Sequence, residues 1–255
     1  MGKRNRKNRV ATTETVFLII ETLQSMEGAR VSEVAEELDL AKSTIHRHLM
    51  TLKERGYVVK EGDEYHPGLR FLDIGQYARQ RKEAYLMAKP KVEAIAEKTG
   101  ERTQFMVEEN GRAVYVHIVH GENAVLTDPG IGNGIPLHAT SAGKSILAHL
   151  PKWKVSKMLE KQPLSKETSA TITDPDELRE NLKEIRERGY SFNEQENLHG
   201  LRAVGVPVRG SAGDVIGALS VSGPTHRMKG SFFREELPNL LLGTVNELEL
   251  NIAHS

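Results

Sequence analysis

The first quarter of the chain contains two consecutive short sets of apolar residues with helical spacing. The first consists of Val34, Ala35 and Leu38, and the second of Ile45, Leu49 and Leu52. Apolar residues at such spacings lie on one face of a helix, so each set predicts a helix with one buried side. The three residues between them, 39–41, are long enough only for a corner. The segment 31–56 therefore predicts two helices joined by a tight turn.

The outward face of the second predicted helix is rich in hydrogen-bond donors. These are Lys42, Ser43, Thr44, His46 and Arg47, followed by His48 and Thr51. The first backbone N–H groups of a helix lack intrahelical acceptors and, together with the dipole, favour a phosphate. A helix-turn-helix places the start of its second helix in the major groove of DNA. We therefore predict DNA contacts on these residues; the alternative is an ordinary helical hairpin with a solvated polar face.

The flanking segments complete a small domain around this helix pair. Residues 57–59 and 64–66 read as two short strands around the turn 61–63, which makes a wing directly after the second helix. Upstream, a wide apolar stripe between Val16 and Met26 predicts a first helix for the same core. The sequence thus predicts a winged helix-turn-helix over residues 10–68.

A mostly polar segment separates this domain from the rest of the chain. Residues 69–89 predict a linker helix whose few apolar positions could pair with a second copy of the chain. Pro90 is expected to end this helix, because proline removes a backbone donor and clashes with the preceding turn. A shorter helix, 92–99, should follow and stop at Gly100.

The period then changes from helical to strand-like, which predicts an α+β domain over residues 90–255. Predicted strands are 103–107, 113–119, 124–127, 190–192, 201–208 and 215–221, and predicted helices lie at 141–149, around Val155, at 175–188 and at 237–252. Short turns such as Asn110-Gly111 favour antiparallel pairing. Strands grouped in this way, with helices kept apart from them, are typical of an α+β architecture with an antiparallel sheet.

Composition adds little to the fold but narrows the class of protein. The chain has 35 basic and 35 acidic residues, so no overall field attracts it to nucleic acid. The basic residues at the N-terminus are concentrated in a possible arm, residues 1–9, with Lys3, Arg4, Arg6, Lys7 and Arg9. Such an arm suits DNA phosphates, and a solubilising tail is the alternative. Without cysteine, a membrane-length apolar run or a signal peptide, we expect a cytoplasmic protein without membrane contact.

The second domain contains a candidate site for a small polar molecule. Ser141 and Ala142 stand at the start of a predicted helix, where their amides and the dipole favour a small carboxylate. The predicted contributors beyond this helix start are Asn193, Leu201, Ala203, Ser220 and Ser222. Ser220 and Ser222 share one face of a strand, although paired serines of this kind are more often structural. If these side chains converge, they form a polar pocket with an apolar floor.

Several enzymatic and metal-binding interpretations fail on spacing. A phosphate-binding loop that ended in the segment 142–145, Ala-Gly-Lys-Ser, would need a glycine five residues before Gly143. His138 occupies that position, so the segment is not such a loop. No G-x-S-x-G elbow is present. His117 and His120 fall on opposite faces of a strand, so they do not form a metal pair. We therefore expect no enzyme activity, no cofactor and no metal site.

Long motifs resemble the IclR family of prokaryotic transcriptional regulators. They are VSEVAEEL, KSTIHRHLMTLKERGYV, YHPGLRFLDIG, IPLHATSAGKSILAHLP, ERGYSFNEQENLHGLRAVGVPV and GALSVSGPTHRM, in this order and over nearly the whole chain. The resemblance implies a homodimer or tetramer, with winged helices on a palindromic DNA operator. It also implies a GAF-like C-terminal domain that binds a small effector, with Ala124 and Thr127 near the pocket residues named above.

Three positions depart from the family pattern. Asn193 and Ala203 stand where members that bind small keto acids tend to have an acidic residue and a cysteine, so the resemblance does not fix the ligand class. Ala41 stands where a capping Ser or Thr is frequent, which predicts a less firmly capped recognition helix. Two alternatives stay open: a C-terminal domain that serves only oligomerisation, and an enzyme on a borrowed fold, which the absent catalytic set disfavours.

Overall fold

The computed structural model describes residues 10–126 and 130–254. These residues form two compact units, the first ending at Ala78 and the second beginning at Arg79. The predicted basic arm and Thr127 lie outside the described residues.

The N-terminal unit is a winged helix. Its elements are α1 (Ala11–Ser25), α2 (Val31–Glu37), α3 (Lys42–Glu54), β1 (Val58–Glu61) and β2 (Glu64–Pro67). The predicted corner is confirmed: Asp39 takes a left-handed backbone conformation (φ +50°), and the Leu40 amide donates to the Ala35 carbonyl at 3.0 Å. The two wing strands pair antiparallel, and Tyr65 also bridges to Ala29 in the loop after α1.

The predicted apolar periods form the core of this unit. The buried side chains are Ile19, Leu23, Ala29, Val34, Ala35, Ile45, Leu49, Leu52, Val58 and Tyr65. Three helices and the base of the wing thus share one small core, and the polar face of α3 is left outside it. This arrangement follows from helices that each carry a single apolar stripe.

The predicted linker helix is wrong in its bounds. The chain forms α4 (Arg70–Gln80) and then α5 (Glu83–Thr99), so the interruption falls at residues 81–82 and Pro90 lies inside α5. Ala88 and Val92 are fully buried on either side of the proline, and Pro90 itself is exposed. Packing of this face holds the helix together although Pro90 removes one of its backbone donors.

The C-terminal unit is built on one six-stranded sheet. Its strands are β3 (Arg102–Glu109), β4 (Arg112–His120), β5 (Gly134–Pro136), β6 (Ser191–Glu194), β7 (Leu201–Arg209) and β8 (Val215–Pro224). The order across the sheet is β5-β4-β3-β8-β7-β6, and every neighbouring pair is antiparallel. The predicted α+β class with an antiparallel sheet is confirmed.

Helices cover both faces of this sheet. They are α5, α6 (Ser141–His149), α7 (Lys152–Lys161), α8 (Pro175–Arg188) and α9 (Leu237–Ala253). One core contains α5 and α9 with the strand residues Phe105, Leu219 and Val221; the other contains α6 and α8 with Met106 and Ala218. Because side chains alternate along a strand, consecutive residues of β3 and β8 enter different cores.

Two local predictions in this unit need correction. Residues 124–126 do not form the third strand; the Ala124 amide instead closes a turn by donating to the Gly121 carbonyl at 3.0 Å. The strand that pairs with the outer side of β4 is β5, which lies in a segment without a predicted strand. A strand of three residues is too short to produce an alternating pattern of its own.

Candidate DNA-binding and effector-binding sites

The start of α3 presents the predicted DNA-contacting side chains to solvent. Lys42, Ser43, His46 and Arg47 are exposed and Thr44 is half-buried, while Ile45 is fully buried. The N-cap residue is Ala41, which supplies no side-chain acceptor. Amides at the start of α3 therefore have no side-chain cap within the described structure, which suits contact with a phosphate. The geometry permits the predicted contacts but does not test them.

The second unit contains a small cavity between the sheet and the start of α6. Its volume is about 50 Å³. The sheet contributes Gln104, Met106, Tyr115, Ala203, Ser220 and Ser222. Thr140 and Ser141 line it from the start of α6, and Asn193, Asn197, Leu198 and Leu201 line it from β6 and the segment that leads into β7. The lining is thus mostly polar, with an apolar patch on one side.

A glycine lets α6 approach the sheet closely enough to form this cavity. A Cβ atom on Gly205 would lie only 2.6 Å from the carbonyl carbon of Ser141 and 2.7 Å from the amide nitrogen of Ala142. Thr140 caps α6 by accepting a hydrogen bond from the Gly143 amide at 3.0 Å. The backbone at the start of α6 is therefore fixed directly against β7.

Most polar side chains around the cavity are already engaged within the protein. Gln104 Nε2 donates to Ser220 Oγ at 2.8 Å and lies 3.4 Å from Ser222 Oγ. Asn193 Nδ2 donates to the Ala139 carbonyl at 2.5 Å, and Asn193 Oδ1 accepts from the Glu196 amide at 3.1 Å. These contacts fix the orientation of the serines and of the asparagine.

A buried ion pair fixes the segment between β6 and β7. Lys144 Nζ lies 2.6 Å from both carboxylate oxygens of Glu196, and both residues are buried. Burial lowers the pKa of Lys144, and the charge of Glu196 opposes that shift. The Thr171 hydroxyl donates to the Glu196 carbonyl at 2.6 Å. The pair therefore connects α6 with the segment that carries Asn197 and Leu198 into the cavity wall.

The structure brings most of the predicted effector residues together. Those that line the cavity are Ser141, Asn193, Leu201, Ala203, Ser220 and Ser222. Ala142 is buried against the sheet, and Ala124 lies in the turn after β4; neither lines the cavity. Thr127 falls outside the described residues. Convergence makes a shared site possible, while binding itself stays a prediction.

Two arginines and a glutamine were missing from the predicted site. Arg102 and Arg202 line the cavity, and Gln104 holds the two serines. The alternation of β3 already places Gln104 and Met106 on one face. Only the pairing of β3 with β8, which sets Arg102 opposite Ser222, shows that this face meets the serines.

Residues 10–126 and 130–254 contain neither a metal-binding cluster nor a membrane-spanning helix. No group of three or more His, Cys, Asp or Glu side chains in these ranges is arranged to hold a metal ion. No helix in the same ranges is both long enough and apolar enough to cross a membrane.

A winged helix followed by an antiparallel-sheet domain with a polar cavity defines a two-domain regulator of the helix-turn-helix class. Residues 14–62 match the family profile described as "IclR helix-turn-helix domain". Residues 76–249 match "Bacterial transcriptional regulator IclR C-terminal". The chain belongs to the IclR family, and the predicted family is confirmed. It is an IclR-type DNA-binding transcriptional regulator, and its family consists of regulators rather than enzymes.

Relatives of known name agree with this assignment. The chain is 33% identical over 248 residues to the probable HTH-type transcriptional regulator ArcR of Halobacterium salinarum, which covers 96% of this chain and 94% of that protein. It is 30% identical over 241 residues to the transcriptional repressor IclR of Escherichia coli, covering 89% and 88% of the two chains.

Solved structures show the same fold. The IclR protein of Thermotoga maritima superposes with a TM-score of 0.79 at 28% identity, covering 95% of this chain and 97% of that one. An IclR homologue from Microbacterium hydrocarbonoxydans, crystallised with 4-hydroxybenzoate, gives a TM-score of 0.80 at 24% identity and covers 96% and 100%. At that identity the second likeness concerns the fold alone.

Proposed function

We propose that this regulator binds a palindromic operator as a dimer and that a small molecule in the cavity of its C-terminal domain controls this binding. The recognition helix is α3, with contacts from Lys42, Ser43, Thr44, His46 and Arg47. The observation that carries the proposal is the display of these donors at a helix start that has no side-chain cap. Donors in that position suit phosphates and base edges in a major groove.

Exposed apolar side chains on α4 support dimerisation. Leu69 immediately before this helix is 85% exposed, and Leu72 and Tyr77 within it are 68% and 76% exposed. Among the described residues, none in α4 is buried within its own chain. A second copy of the chain is the partner that would cover such a surface and bring two recognition helices to a symmetric operator.

The polar cavity supports control by a small effector. Ser141, Asn193, Ser220 and Ser222 meet there next to the apolar side chain of Leu201. The Microbacterium homologue shows that this fold accommodates a small aromatic carboxylate in that protein. Control of DNA binding requires that the effector bind one arrangement of the two domains more tightly than another. An effector with equal affinity for both arrangements would leave the equilibrium between them unchanged.

The competing proposal is a C-terminal domain that serves only oligomerisation. The small volume of the cavity, about 50 Å³, favours it, because typical ligand sites are several times larger. Under this proposal no small molecule changes the operator affinity, whereas an effector-controlled regulator responds to at least one.

The remaining assignments are also proposals. The DNA-binding domain is taken as residues 10–68 and the effector domain as 90–255, joined by a connecting segment that contains α4 and the first part of α5. The basic arm, residues 1–9, is proposed to lie along DNA phosphates. The proposed place of action is the cytoplasm.

The DNA-binding proposal is tested with two arginine variants, one at Arg47 in the first half of α3 and one at Arg55, the C-cap residue of the same helix. Genomic footprinting first identifies the operator. Arg47→Ala is then expected to weaken operator binding by about 1–3 kcal/mol if Arg47 contacts a base edge. Arg55→Ala, at the C-cap of the same helix, is the matched control and should bind normally. Fluorescence anisotropy measures the affinity of each variant for the operator and for a random duplex. If Arg47→Ala loses the same affinity on both duplexes, Arg47 contacts only a phosphate. If Arg47→Ala loses no affinity, Arg47 has no role in DNA binding.

A further inference from the structure

The recognition helix α3 and the helix α4 are joined by a compact set of contacts at the base of the wing. Only Gly68 and Leu69 separate β2 from α4. Gly68 is buried, and its amide donates to the Tyr57 carbonyl at 2.8 Å. A Cβ atom on Gly68 would lie 2.6 Å from the carbonyl oxygen of Gly56. The segment that leads into α4 therefore lies directly against the segment that leaves α3.

The side chain of Arg70 bridges the two helices. Arg70 is the first residue of α4, and its Nη1 donates to the carbonyl of Arg55 at 2.8 Å. Arg55 is the C-cap residue of α3. A cation at the C-terminus of a helix interacts favourably with the helix dipole and with the carbonyls that have no intrahelical donor. Arg70 therefore connects the start of α4 to the end of the recognition helix.

Two aromatic rings fix the orientation of this bridge. The guanidinium carbon of Arg70 lies 4.9 Å from the centroid of the Tyr57 ring, and the ring centroids of Tyr57 and Phe71 are 5.2 Å apart. Tyr57 itself packs against the core of the winged helix. Cation–π and ring–ring contacts are attractive only in certain orientations, so they restrict an angle as well as a distance. The first turn of α4 is thus held at a defined angle to α3.

The exposed apolar side chains of α4 lie close to this bridge along the helix. Leu72 follows Arg70 by two residues, and Tyr77 follows it by seven, which is about 10 Å along a helix axis. If a second copy of the chain covers Leu72 and Tyr77, α4 makes the dimer contact and Arg70 connects that contact to the recognition helix. The angle between α3 and α4 then determines the separation of the two recognition helices in the dimer.

We propose that Arg70 is a positioning residue for operator recognition, which holds α3 against α4 and thereby sets the half-site spacing that the dimer accepts. One additional base pair moves a half-site by about 3.4 Å along the DNA axis and turns it by about 35° around that axis. A rigid connection between α3 and α4 excludes such an operator, whereas a loose connection adapts to it. This inference rests on the proposed function, because a spacing preference requires a dimer on a palindromic operator.

The test measures dissociation constants of the full-length chain by fluorescence anisotropy at one salt concentration. The DNA probes are the operator, two duplexes whose half-sites are one base pair closer or farther apart, and a duplex with a single half-site. The variants are Arg70→Ala, Arg70→Lys and Tyr57→Leu, the last of which removes both ring contacts and keeps an apolar side chain against the core. The control, Arg55→Ala, removes a neighbouring cation but keeps the carbonyl that Arg70 contacts.

We expect the wild type to bind both altered spacings more weakly than the operator. Arg70→Ala should reduce this preference by about three- to tenfold, the ordinary contribution of one hydrogen bond and one exposed cation–π contact. Its affinity for the single half-site should not change, which shows that the winged helix is folded. Tyr57→Leu should behave in the same way. Arg70→Lys keeps the cation without the planar group and should lie between the wild type and Arg70→Ala, and Arg55→Ala should match the wild type.

Failure of the inference and failure of the proposed function give different results. If Arg70→Ala keeps the spacing preference of the wild type, or loses the same affinity for every duplex including the single half-site, Arg70 does not set the spacing, and dimeric operator binding stands. If the wild type itself binds all four duplexes equally well, dimeric recognition of a palindromic operator is overturned together with the inference.

Discussion

Replacing Glu196 by Gln is expected to reduce the free energy of unfolding of the C-terminal unit by about 3–5 kcal/mol, the usual cost of breaking a buried ion pair. Lys144 Nζ lies 2.6 Å from both carboxylate oxygens, and the two side chains are 3% and 9% exposed. At an effective dielectric constant of about 20, unit charges at this distance attract by about 6 kcal/mol. Desolvation of the two ions offsets much of that attraction. The variant removes the attraction and leaves the lysine buried.

The same variant should acquire a distinctive pH dependence. Burial lowers the pKa of Lys144 below its ordinary value of 10.5, and removing the Glu196 charge lowers it further. Between the folded pKa and 10.5 the unfolded chain then binds more protons than the folded chain, so the stability of Glu196→Gln rises with pH in this window. At lower pH both states bind the proton and the slope vanishes.

A surface ion pair of the same length provides the control. Lys91 Nζ lies 2.6 Å from a carboxylate oxygen of Glu247, whose side chain is 64% exposed. Glu247→Gln should cost no more than about 1 kcal/mol, because solvent screens an exposed pair. The double variant Lys144→Met/Glu196→Leu should regain most of the lost stability, since apolar replacements of buried pairs are often neutral.

Urea unfolding of the full-length chain measures these changes. Far-UV circular dichroism follows both units, and Trp153, the only tryptophan, lies on α7 and reports the C-terminal unit. A Glu196→Gln transition that shifts no more than that of Glu247→Gln would refute the assignment of a buried charged pair at this position. A stability of Glu196→Gln that does not rise with pH anywhere below 10.5 would contradict the lowered pKa of Lys144.

Two further experiments test the C-terminal unit, one on its packing and one on the protonation of a buried histidine. Gly205→Ala should destabilise the C-terminal unit by about 1–3 kcal/mol, because the added Cβ would overlap the backbone at the start of α6. The control, Gly243→Ala, lies in open space on α9 and should stabilise the protein by about 1 kcal/mol. Equal urea midpoints for the two variants would contradict the close approach of α6 to Gly205. His117 Nε2 lies 2.6 Å from the Tyr85 carbonyl, and burial lowers the pKa of His117 below 6.5. As the pH falls, the unfolded chain therefore binds the proton first, and the stability falls from about pH 6.5 down to the folded pKa. The variant His117→Gln should lose less stability than the wild type between pH 7 and pH 5. Unfolding titrations that give the same pH dependence of stability for the two proteins would refute this role of His117.

The sequence by itself determined the winged helix and the general architecture of the second unit. Ile45, Leu49 and Leu52 repeat within a single helix, so their burial depends only on local geometry and on some partner for the apolar face. The helix α8 has the predicted range 175–188, and its caps, Asp174 and Gly189, likewise act within one helix. Such features involve neighbours in the sequence and are therefore visible without the fold.

Tertiary structure alone decided the course of the linker and the chemistry of the cavity. Burial of Ala88 and Val92 carries α5 through Pro90, although the local preference of proline favours a break there. Arg102 meets Ser222 because β3 pairs with β8 across more than a hundred residues of sequence. Periodicity assigns a residue to a face, but the strand order and register determine which other residues share that face. The cavity charge is therefore a property of the assembled sheet.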